Sequence, residues 1–479
     1  MNIKLIRQYI PLVLATALIL IILWLLQRIT SPSPQDSPPK EPPLESTTLL
    51  KRISDGNKIL VDEEISPENP AFQAAKERGV TALAANNYEE AVLNFEEAIN
   101  QYSNAPETKI YLNNARIGTE ESRTIAVVGP TISKPTKALE GLRGVAQAQT
   151  EINQDGGIDG VPLKVVIAND DDNPEIAQQI ASALVENSQI SGVVGHYPSK
   201  VTLEAGKIYS ANKLVVISAD STSVDLSAKP DIFRTVPSDA IAARTLARYM
   251  QTNLQQQNAV VFYDPKDTYS KSLTSAFVAA IKSQGGKDED VGKIDLSKPG
   301  FSAFNSVTEA IERNAEVLAL APPVALLDKA LQVVVANDGR LNLLGGDVMY
   351  DPKTLDFGSD AVGMVLAMPW DTEGDPKSSF PCESSNPPCL WDTAEVNWRT
   401  AMAYDAAQAL ITALKSSPTR AGVYRALKSP DFSAQGVSGI IRFDPNTGDR
   451  DESFQLQLIE IRSKSSSRTG YDFVPVPSS

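Results

Sequence analysis

The stretch of sequence that decides the fold contains two apolar runs, TIAVVGP at residues 124–130 and PLKVVIAND at residues 162–170. Neither run alternates polar with apolar residues, and continuous Val and Ile runs of this kind are typical of strands buried on both faces. Between the runs, residues Ala138 to Asn153 place apolar side chains at helical spacing. The stretch therefore predicts a strand, a helix and a second strand that runs parallel to the first.

The same alternation of strands and helices continues toward the carboxyl terminus. The predicted strands that follow are SGVVGH (191–196), KLVVISAD (213–220), NAVVFYDP (258–265), EVLALAP (316–322) and LNLLGGD (341–347). Parallel strands need crossover connections, which are usually helices, so this order predicts sheets with helices on both faces. The pattern restarts after a helix that begins near Asp239, and the restart predicts two α/β lobes of similar size.

The chain after residue 370 is too short for a third lobe and is predicted to complete the first two. It contains helical patterns at 391–415 and 422–428 and the strands SGIIRFD (438–444) and FQLQLIEI (454–461). We therefore predict one two-lobed domain over residues 121–470 and a tail at 471–479. Lobe I is predicted at about 121–238 and 370–432, and lobe II at about 239–369 and 433–465.

The composition excludes several classes of function. The 44 Lys and Arg residues against 59 Asp and Glu residues leave a net charge of −15, so no general basic surface is available for nucleic acid. One histidine and two cysteines are too few for a His-rich zinc site or an iron–sulfur cluster. The run Asp170–Asn173 lacks the ligand spacing of a calcium loop. We therefore expect no metal and no cofactor.

The sequence also lacks the short motifs that accompany common enzyme chemistries. No G-x-x-x-x-G-K-[ST] phosphate loop occurs, no G-x-G-x-x-G follows the first strand, and no G-x-S-x-G nucleophile elbow is present. The single histidine, His196, is therefore predicted to be structural, and we do not expect an enzyme.

The amino terminus is predicted to be a membrane anchor. Residues 10–26, IPLVLATALILIILWLL, are seventeen residues without a charge, long enough for a short helical span of about 26 Å. Lys4 and Arg7 precede the span, so the positive-inside rule places the tip in the cytoplasm and the bulk of the chain outside it. Residues 1–29 are thus predicted as a single-pass signal anchor in the inner membrane, and a cleaved signal peptide is the alternative.

Two further segments separate this anchor from the two-lobed domain. Residues 30–66 begin with six prolines within TSPSPQDSPPKEPPLES (30–46) and are predicted to be an extended stalk or linker. Residues 67–120 have apolar residues at helical spacing and are predicted to be a small all-α module. The order of Gly79, Leu83, Tyr88, Ala91, Phe95 and Ala98 resembles one tetratricopeptide repeat. Such a module is either a groove for a protein partner or a helical spacer.

Candidate ligand-binding residues follow several of the predicted strands. In open parallel sheets, ligands bind outside the carboxyl ends of the strands, where helix amino termini offer free N–H groups. On the first lobe, Ser199 follows SGVVGH, and Asp220 and Thr222 follow KLVVIS. On the second lobe, Tyr269 follows NAVVFYDP and Asp347 ends LNLLGG. Hydroxyls on one lobe suit a carboxylate and an acidic side chain on the other suits an ammonium group, so the set indicates an amino-acid cleft.

At this point the chain resembles the leucine/isoleucine/valine-binding protein family, the type I periplasmic solute-binding proteins of ABC importers. The segment EINQDGGIDGVPLKVVIANDDDNPEIA (151–177) resembles four consecutive features of that family. They are the end of the first helix, a glycine-rich turn, the second strand and the Asn-Pro start of the next helix. The motifs GVVGHYPS, VVISADSTS, IFRTVPSD, FYDPKDTYS, LLGGD and GIIRFDPNTGDR follow in the family's order. The resemblance implies a two-lobed clamp that closes on a small ligand and presents it to ABC permease subunits.

The resemblance also implies roles for individual residues. Ser199 and Thr222 match positions that hold the ligand carboxylate, Asp347 matches the acidic residue that meets the α-ammonium group, and Tyr269 matches an aromatic residue that closes over the ligand. Asp220 departs from the family, which often has a small residue there, and Pro323 stands where an aromatic residue commonly lines the pocket. Asp220 either favours a more cationic ligand or points to solvent, and Pro323 argues against a branched-chain side chain.

These observations predict a membrane-anchored protein of the periplasm that binds an amino acid or a similar small polar molecule for an ABC importer. The alternative is an envelope regulator without transport function, which contacts a partner protein through the module at 67–120 and the two-lobed fold. In the oxidising compartment outside the membrane, Cys382 and Cys389 are expected to form a local disulfide across the loop ESSNPP. Free thiols are the alternative for these two cysteines.

Overall fold

The computed structural model describes residues 46–62, 64, 69–229, 231–287, 290–371, 390–391, 396–451 and 453–477. The predicted anchor at 1–29 and the predicted disulfide between Cys382 and Cys389 lie outside the described residues, and both remain predictions from the sequence. Within the described ranges, no helix combines the length and the apolar character that crossing a membrane requires.

The described chain begins with helices that precede the first lobe. They are α1 (Ser46–Leu50), α2 (Pro70–Ala84), α3 (Tyr88–Gln101) and α4 (Pro106–Ile117). Helices α2 and α3 pack against each other, with Gly79 facing Phe95 so closely that a Cβ on Gly79 would lie 2.5 Å from the Phe95 ring. A small residue in one helix thus accommodates a large one in the other.

Lobe I is built on a sheet of parallel strands with one short antiparallel edge strand. Its strands are β1 (Ile53–Ser54), β2 (Arg123–Gly129), β3 (Leu163–Asn169), β4 (Ile190–Val194), β5 (Val215–Ser218) and β6 (Ile232–Arg234). Its main helices are α5 (Pro135–Gln154), α6 (Pro174–Glu186) and α7 (Ser199–Ala211). The order in the described sheet is β1–β3–β2–β4–β5–β6, and only β1 is antiparallel to its neighbour.

Lobe II is built on a second sheet, whose strands are also mostly parallel to their neighbours. Its elements are α8 (Asp239–Thr252), β7 (Ala259–Tyr263), α9 (Thr268–Ser283), β8 (Val291–Asp295), α10 (Ala303–Glu312), β9 (Val317–Ala321), α11 (Leu327–Asn337), β10 (Asn342–Gly345), α12 (Pro352–Leu355) and β11 (Val365–Met368). The carboxyl-terminal elements are α13 (Trp398–Ser416), α14 (Arg420–Leu427), β12 (Ala434–Gly436), β13 (Gly439–Ile441), β14 (Gln457–Ser463) and β15 (Tyr471–Pro475). The order in the described part of the second sheet is β15–β14–β11–β10–β9–β7–β8.

The continuous apolar runs form strands buried on both faces, as predicted. In β2, Ile125 and Val127 face the core that includes α5 and α13, whereas Ala126 and Val128 face the core that includes α6 and α7. Both sets of side chains are nearly inaccessible to solvent. The predicted α/β architecture of two lobes is therefore confirmed.

The structure differs from the predicted boundaries near the carboxyl terminus. Residues 471–475, predicted as part of a tail, form strand β15, which pairs antiparallel with β14 so that Phe473 lies opposite Ile461. The hairpin β12–β13, predicted as part of lobe II, packs on α13, and the Val437 N–H donates to Asp405 of that helix at 2.8 Å. The lobe to which each segment belongs is decided by contacts with residues distant in sequence, which a local pattern does not reveal.

The predicted linker is also shorter than residues 30–66. Ile53 and Ser54 pair with Ile167 and Ala168 as edge strand β1 of lobe I. Helix α4 is buried along nearly its whole length against lobe I. In that contact the Asn114 side chain accepts the Val165 N–H at 3.1 Å and donates to the Val165 carbonyl at 2.7 Å. The helices at 70–117 are therefore continuous with lobe I rather than a separate body.

A buried ion cluster joins these helices to the segment that precedes them. The Lys76 ammonium lies 2.7 Å from Glu64 and 2.6 Å from Glu107, and all three side chains are inaccessible to solvent or nearly so. Burial alone would lower the pKa of Lys76, but the two carboxylates together raise it to about 12. Glu107 also accepts the N–H groups of Leu60 and Val61. The cluster thus holds Leu60, Val61 and Glu64 against α2 and α4.

We expect Lys76→Met to lower the free energy of unfolding by roughly 3–5 kcal/mol, because it leaves two buried carboxylates without a cation. The measurement is urea denaturation of both proteins followed by circular dichroism. Arg78→Met is the matched control on the same helix, because its ion pair with Glu97 is half exposed and such pairs contribute only about 0–1 kcal/mol. Equal destabilisation by the two substitutions would contradict a structural role for the cluster.

Candidate functional site

One cavity of about 220 Å³ lies between the lobes at the carboxyl ends of their parallel strands. Its volume lies below the roughly 300–1,000 Å³ of pockets for drug-sized molecules, so its occupant must be small. All five residues predicted from the sequence line it. Ser199, Asp220 and Thr222 enter from lobe I, and Tyr269 and Asp347 enter from lobe II. The structure therefore brings together every predicted site residue.

The lobe I side of the cavity offers groups suited to an anion. Ser199 is the first residue of α7, and Ser199, Lys200 and Val201 of that helix start line the cavity. The first N–H groups of a helix have no partner within it. The Ser199 hydroxyl oxygen accepts the Ser223 N–H at 3.2 Å, which leaves its hydrogen available to a ligand. The neighbouring Thr222 side chain is buried. These groups resemble the donors that hold carboxylates at other helix starts.

The lobe II side carries a buried acid next to a phenol. Burial raises the pKa of Asp347, and the adjacent Tyr269 and Arg399 oppose that effect. The pKa of Tyr269 lies well above its usual value. Burial is the main cause and the charge of Asp347 is the second, so the phenol keeps its proton. A Cβ on Gly346 would lie 2.3 Å from the Tyr269 hydroxyl. Glycine at that position therefore allows Tyr269 to lie beside Asp347.

Arg399 is a cavity residue that sequence reasoning missed. Its side chain is only 3% exposed and forms ion pairs with Asp220, at 3.1 Å from Nε, and with Glu140, at 3.3 Å from Nη1. The guanidinium also lies 4.2 Å from the Trp398 ring centroid. Arg399 sits in the first turn of α13, within a long run of buried residues. A charged residue in the first turn of a helix rich in apolar residues is the sequence signal that could have identified it.

The sequence left open whether Asp220 favours a more cationic ligand or points to solvent, and its position in the structure distinguishes the two. Its side chain is 16% exposed and does not point to solvent. Burial raises the pKa of Asp220 to about 7, an effect that Arg399 opposes and that Glu140 and Asp347 reinforce. Because Arg399 offsets the charge of Asp220, the extra carboxylate does not by itself favour a cationic ligand.

Several polar atoms of the cavity wall lack a well-oriented hydrogen bond within the part of the chain that the structure describes. Among the described residues, Asp220 Oδ1, Arg399 Nε, Thr222 Oγ1 and the Tyr269 hydroxyl are buried without a hydrogen bond of good geometry. Buried polar atoms almost always have partners. A ligand that supplied hydrogen bonds to these atoms would therefore be stabilised in this cavity.

The two lobes are in direct contact beside the cavity. The Val224 N–H of lobe I donates to the Ser272 hydroxyl of lobe II at 2.9 Å. Lys137 of α5 lies 3.3 Å from Asp351 of lobe II and also 3.3 Å from Glu140. These contacts bridge the cleft between the lobes.

The loop that carries Asp220 and Thr222 is held from behind by a buried arginine. Arg234 donates from Nη1 to the carbonyl oxygens of Ser221 and Ser223, at 3.4 and 2.8 Å, and from Nε to Asp449 at 2.8 Å. The Arg234 side chain is inaccessible to solvent. Its bonds connect the loop after β5 to the chain segment that returns from lobe I to lobe II.

His196 occupies a structural position. Its Nδ1 lies 2.6 Å from Asp170 and its Nε2 lies 3.1 Å from the Tyr209 hydroxyl. The ring is inaccessible to solvent, and both nitrogens have partners within lobe I. His196 holds the start of α7 and is not a lining residue of the cavity.

Comparisons with known proteins agree with this geometry. The family model described as Periplasmic binding protein matches residues 124–464. An amino acid binding protein of Pseudomonas aeruginosa is 29% identical over 197 residues, which span 40% of this chain and only about half, 52%, of that protein. A leucine-specific-binding protein of Salmonella typhimurium is 25% identical over 325 residues, 67% of this chain and 86% of that one.

A solved structure shares the fold. It is an ABC transporter substrate-binding protein from Desulfitobacterium hafniense in complex with Leu, which is 25% identical and superposes with a TM-score of 0.59. The superposition covers 74% of this chain and 100% of that chain. The relatives are solute-binding proteins and not enzymes.

The raised pKa of Asp220 predicts a pH-dependent difference from Asp220→Asn. The native carboxyl holds its proton to about pH 7, whereas the unfolded one loses it near pH 4, so between these values only the unfolded chain ionises and the natural protein loses stability as the pH rises. The free energy of unfolding of Asp220→Asn minus that of the natural protein should therefore increase from pH 5 to pH 8, by at most about 3 kcal/mol.

Urea denaturation at pH 5, 6, 7 and 8 measures this difference. Asp356→Asn is the control, because this substitution removes the same charge from a residue of lobe II that is half exposed. A difference for Asp220→Asn that stayed constant across this range would show that Asp220 titrates normally.

Proposed function

Because this chain belongs to the periplasmic binding protein family, we propose that it is an extracytoplasmic solute-binding protein that captures an amino acid or a similar small polar ligand. In this proposal the ligand lies in the cleft between the lobes and is passed to the permease subunits of an ABC importer. Ser199 and Thr222 hold its carboxylate, Asp347 holds its α-ammonium group, and Tyr269 covers it.

The observation that carries the proposal is the opposite chemistry of the two cavity walls. Hydroxyls and a helix start line the lobe I wall, and the buried Asp347 lines the lobe II wall. A zwitterion carries both charges that these walls complement, and each charge-assisted hydrogen bond is stronger than a neutral one. Because the two walls belong to different lobes, a zwitterion binds fully only when the lobes are together.

The proposed location rests on the sequence of residues 1–29. A span with positive charges before it anchors the protein in the inner membrane with the two-lobed domain in the periplasm. A tether keeps the domain near a permease in the same membrane, and the proline-rich segment after the span sets its reach.

One surface feature favours the regulatory alternative as a second candidate function. Leu93 is 67% exposed on α3, on a face that also presents Glu89, Glu90 and Glu97 to solvent. The helices at 70–117 are fixed to lobe I, so a partner protein bound at residues 67–120 would contact a rigid surface. In this alternative the protein contacts a partner in the envelope and does not deliver a solute.

Ligand dependence distinguishes the two functions. We expect at least one amino acid to raise the thermal unfolding midpoint of the full-length protein, because a ligand at 100 times its Kd adds about 2.7 kcal/mol of stability. The screen is a thermal-shift measurement with the twenty amino acids, small carboxylates and ureas. If no compound moves the midpoint, the transport proposal fails and the regulatory alternative is favoured.

Asp347→Ala should weaken the binding of any α-amino ligand at least 100-fold, because it removes the only acid proposed to meet the ammonium group. Isothermal titration calorimetry measures the affinity, and circular dichroism verifies the fold. Asp356→Ala, on an exposed residue of the same lobe, should bind like the natural protein. Unchanged affinity in Asp347→Ala would disprove the assignment of the ammonium site.

A further inference from the structure

The wall of the cavity contains a buried donor next to a buried acceptor. Arg399 Nε and Asp220 Oδ1 are 3.1 Å apart, yet neither atom makes a hydrogen bond of good geometry within the described chain. The pair is additional to the groups proposed to hold the α-carboxylate and the α-ammonium. It is therefore available to the third part of an amino acid, its side chain.

The charges around this pair select against ionised side chains. The Arg399 guanidinium faces Asp220 on one side and Glu140 on the other, and Glu140 is shared with Lys137. A ligand carboxylate at the pair would be repelled by Asp220, and a ligand cation would be repelled by Arg399. Because each charge already has an opposite neighbour, an added full charge gains little and loses its hydration.

An apolar side chain is also disfavoured at the pair. It would cover Arg399 Nε and Asp220 Oδ1 without bonding to them, and a buried polar atom without a partner is costly. A site built for hydrogen bonds rejects an analogue that lacks them more strongly than an apolar pocket rejects an extra polar group. The pair therefore favours a neutral group that carries both an acceptor and a donor.

We propose that the ligand is an amino acid whose side chain ends in an uncharged carboxamide, held by Arg399 and Asp220. The amide oxygen accepts from Arg399 Nε, and the amide nitrogen donates to Asp220 Oδ1. Pro323, Val324 and Ala325 line the cavity from lobe II and offer apolar contact for the intervening methylene groups. This inference rests on the proposed function and names the substrate class of the same site.

A matched series of ligands tests the inference on the full-length protein. Glutamine, glutamate, leucine and lysine have similar sizes and differ in the end of the side chain, and asparagine tests a shorter carboxamide. Calorimetry at pH 8, where Asp220 is ionised, should give an affinity for glutamine or asparagine at least 10-fold higher than for each of the other three. Tighter binding of leucine, glutamate or lysine would overturn the inference and leave the amino-acid function intact. Binding of none of the five would overturn the inference and count against the proposed function as well.

Asp220→Asn tests the role of the pair directly. The substitution removes the carboxylate that offsets Arg399 and keeps the size of the side chain, so a ligand carboxylate is no longer repelled. The ratio of glutamate affinity to glutamine affinity should rise at least 10-fold at pH 8. Asp356→Asn, which removes an exposed charge from lobe II, should leave the ratio unchanged.

An unchanged ratio in folded Asp220→Asn would contradict the assignment of the pair to the ligand side chain. If Asp220→Asn does not fold, the ligand series on the natural protein decides alone, because its outcome depends only on the natural cavity.

Discussion

The ligand cavity depends on the hydrogen bonds and the ion pair of the buried Arg234 guanidinium. The guanidinium binds two carbonyl oxygens of the loop after β5 and the carboxylate of Asp449, which lies 215 residues later in the chain. Breaking such a buried pair leaves an unpaired charge in a medium of low dielectric, at a cost of several kcal/mol. The loop that presents Asp220 and Thr222 therefore has one favourable position, fixed relative to the segment that crosses between the lobes.

Similar buried ion pairs recur where the chain passes between elements that are distant in sequence. Arg450 lies 3.1 Å from Asp405 and joins the carboxyl-terminal crossover to α13, the helix that also carries Arg399. Lys76 joins the segment before α2 to α4. Each pair is almost inaccessible to solvent, so each fixes a position more than it adds net stability. These pairs thus fix the elements around the cavity relative to one another.

The sequence predicted the fold well where the local pattern was long and continuous. Runs such as residues 124–130 are strands in the structure because buried parallel strands require apolar side chains on both faces. The positions of Ser199 and Asp347 were predictable for a related reason, since strand ends of parallel sheets converge at one edge. Strands β1 and β15 escaped prediction because two to five residues carry too little pattern, and pairing with a distant strand decides their structure.

The sequence by itself determined the class of the fold, the family and the residues at the strand ends, because these follow from periodicity and from ordered local motifs. Only the tertiary structure decided what surrounds those residues. Arg399 meets Glu140 across 259 positions of sequence, and no local pattern encodes such a contact. Burial raises the pKa of Asp220, and its Oδ1 lacks a well-oriented hydrogen bond among the described residues. Both effects exist only when the two lobes and the carboxyl-terminal helix enclose the same space.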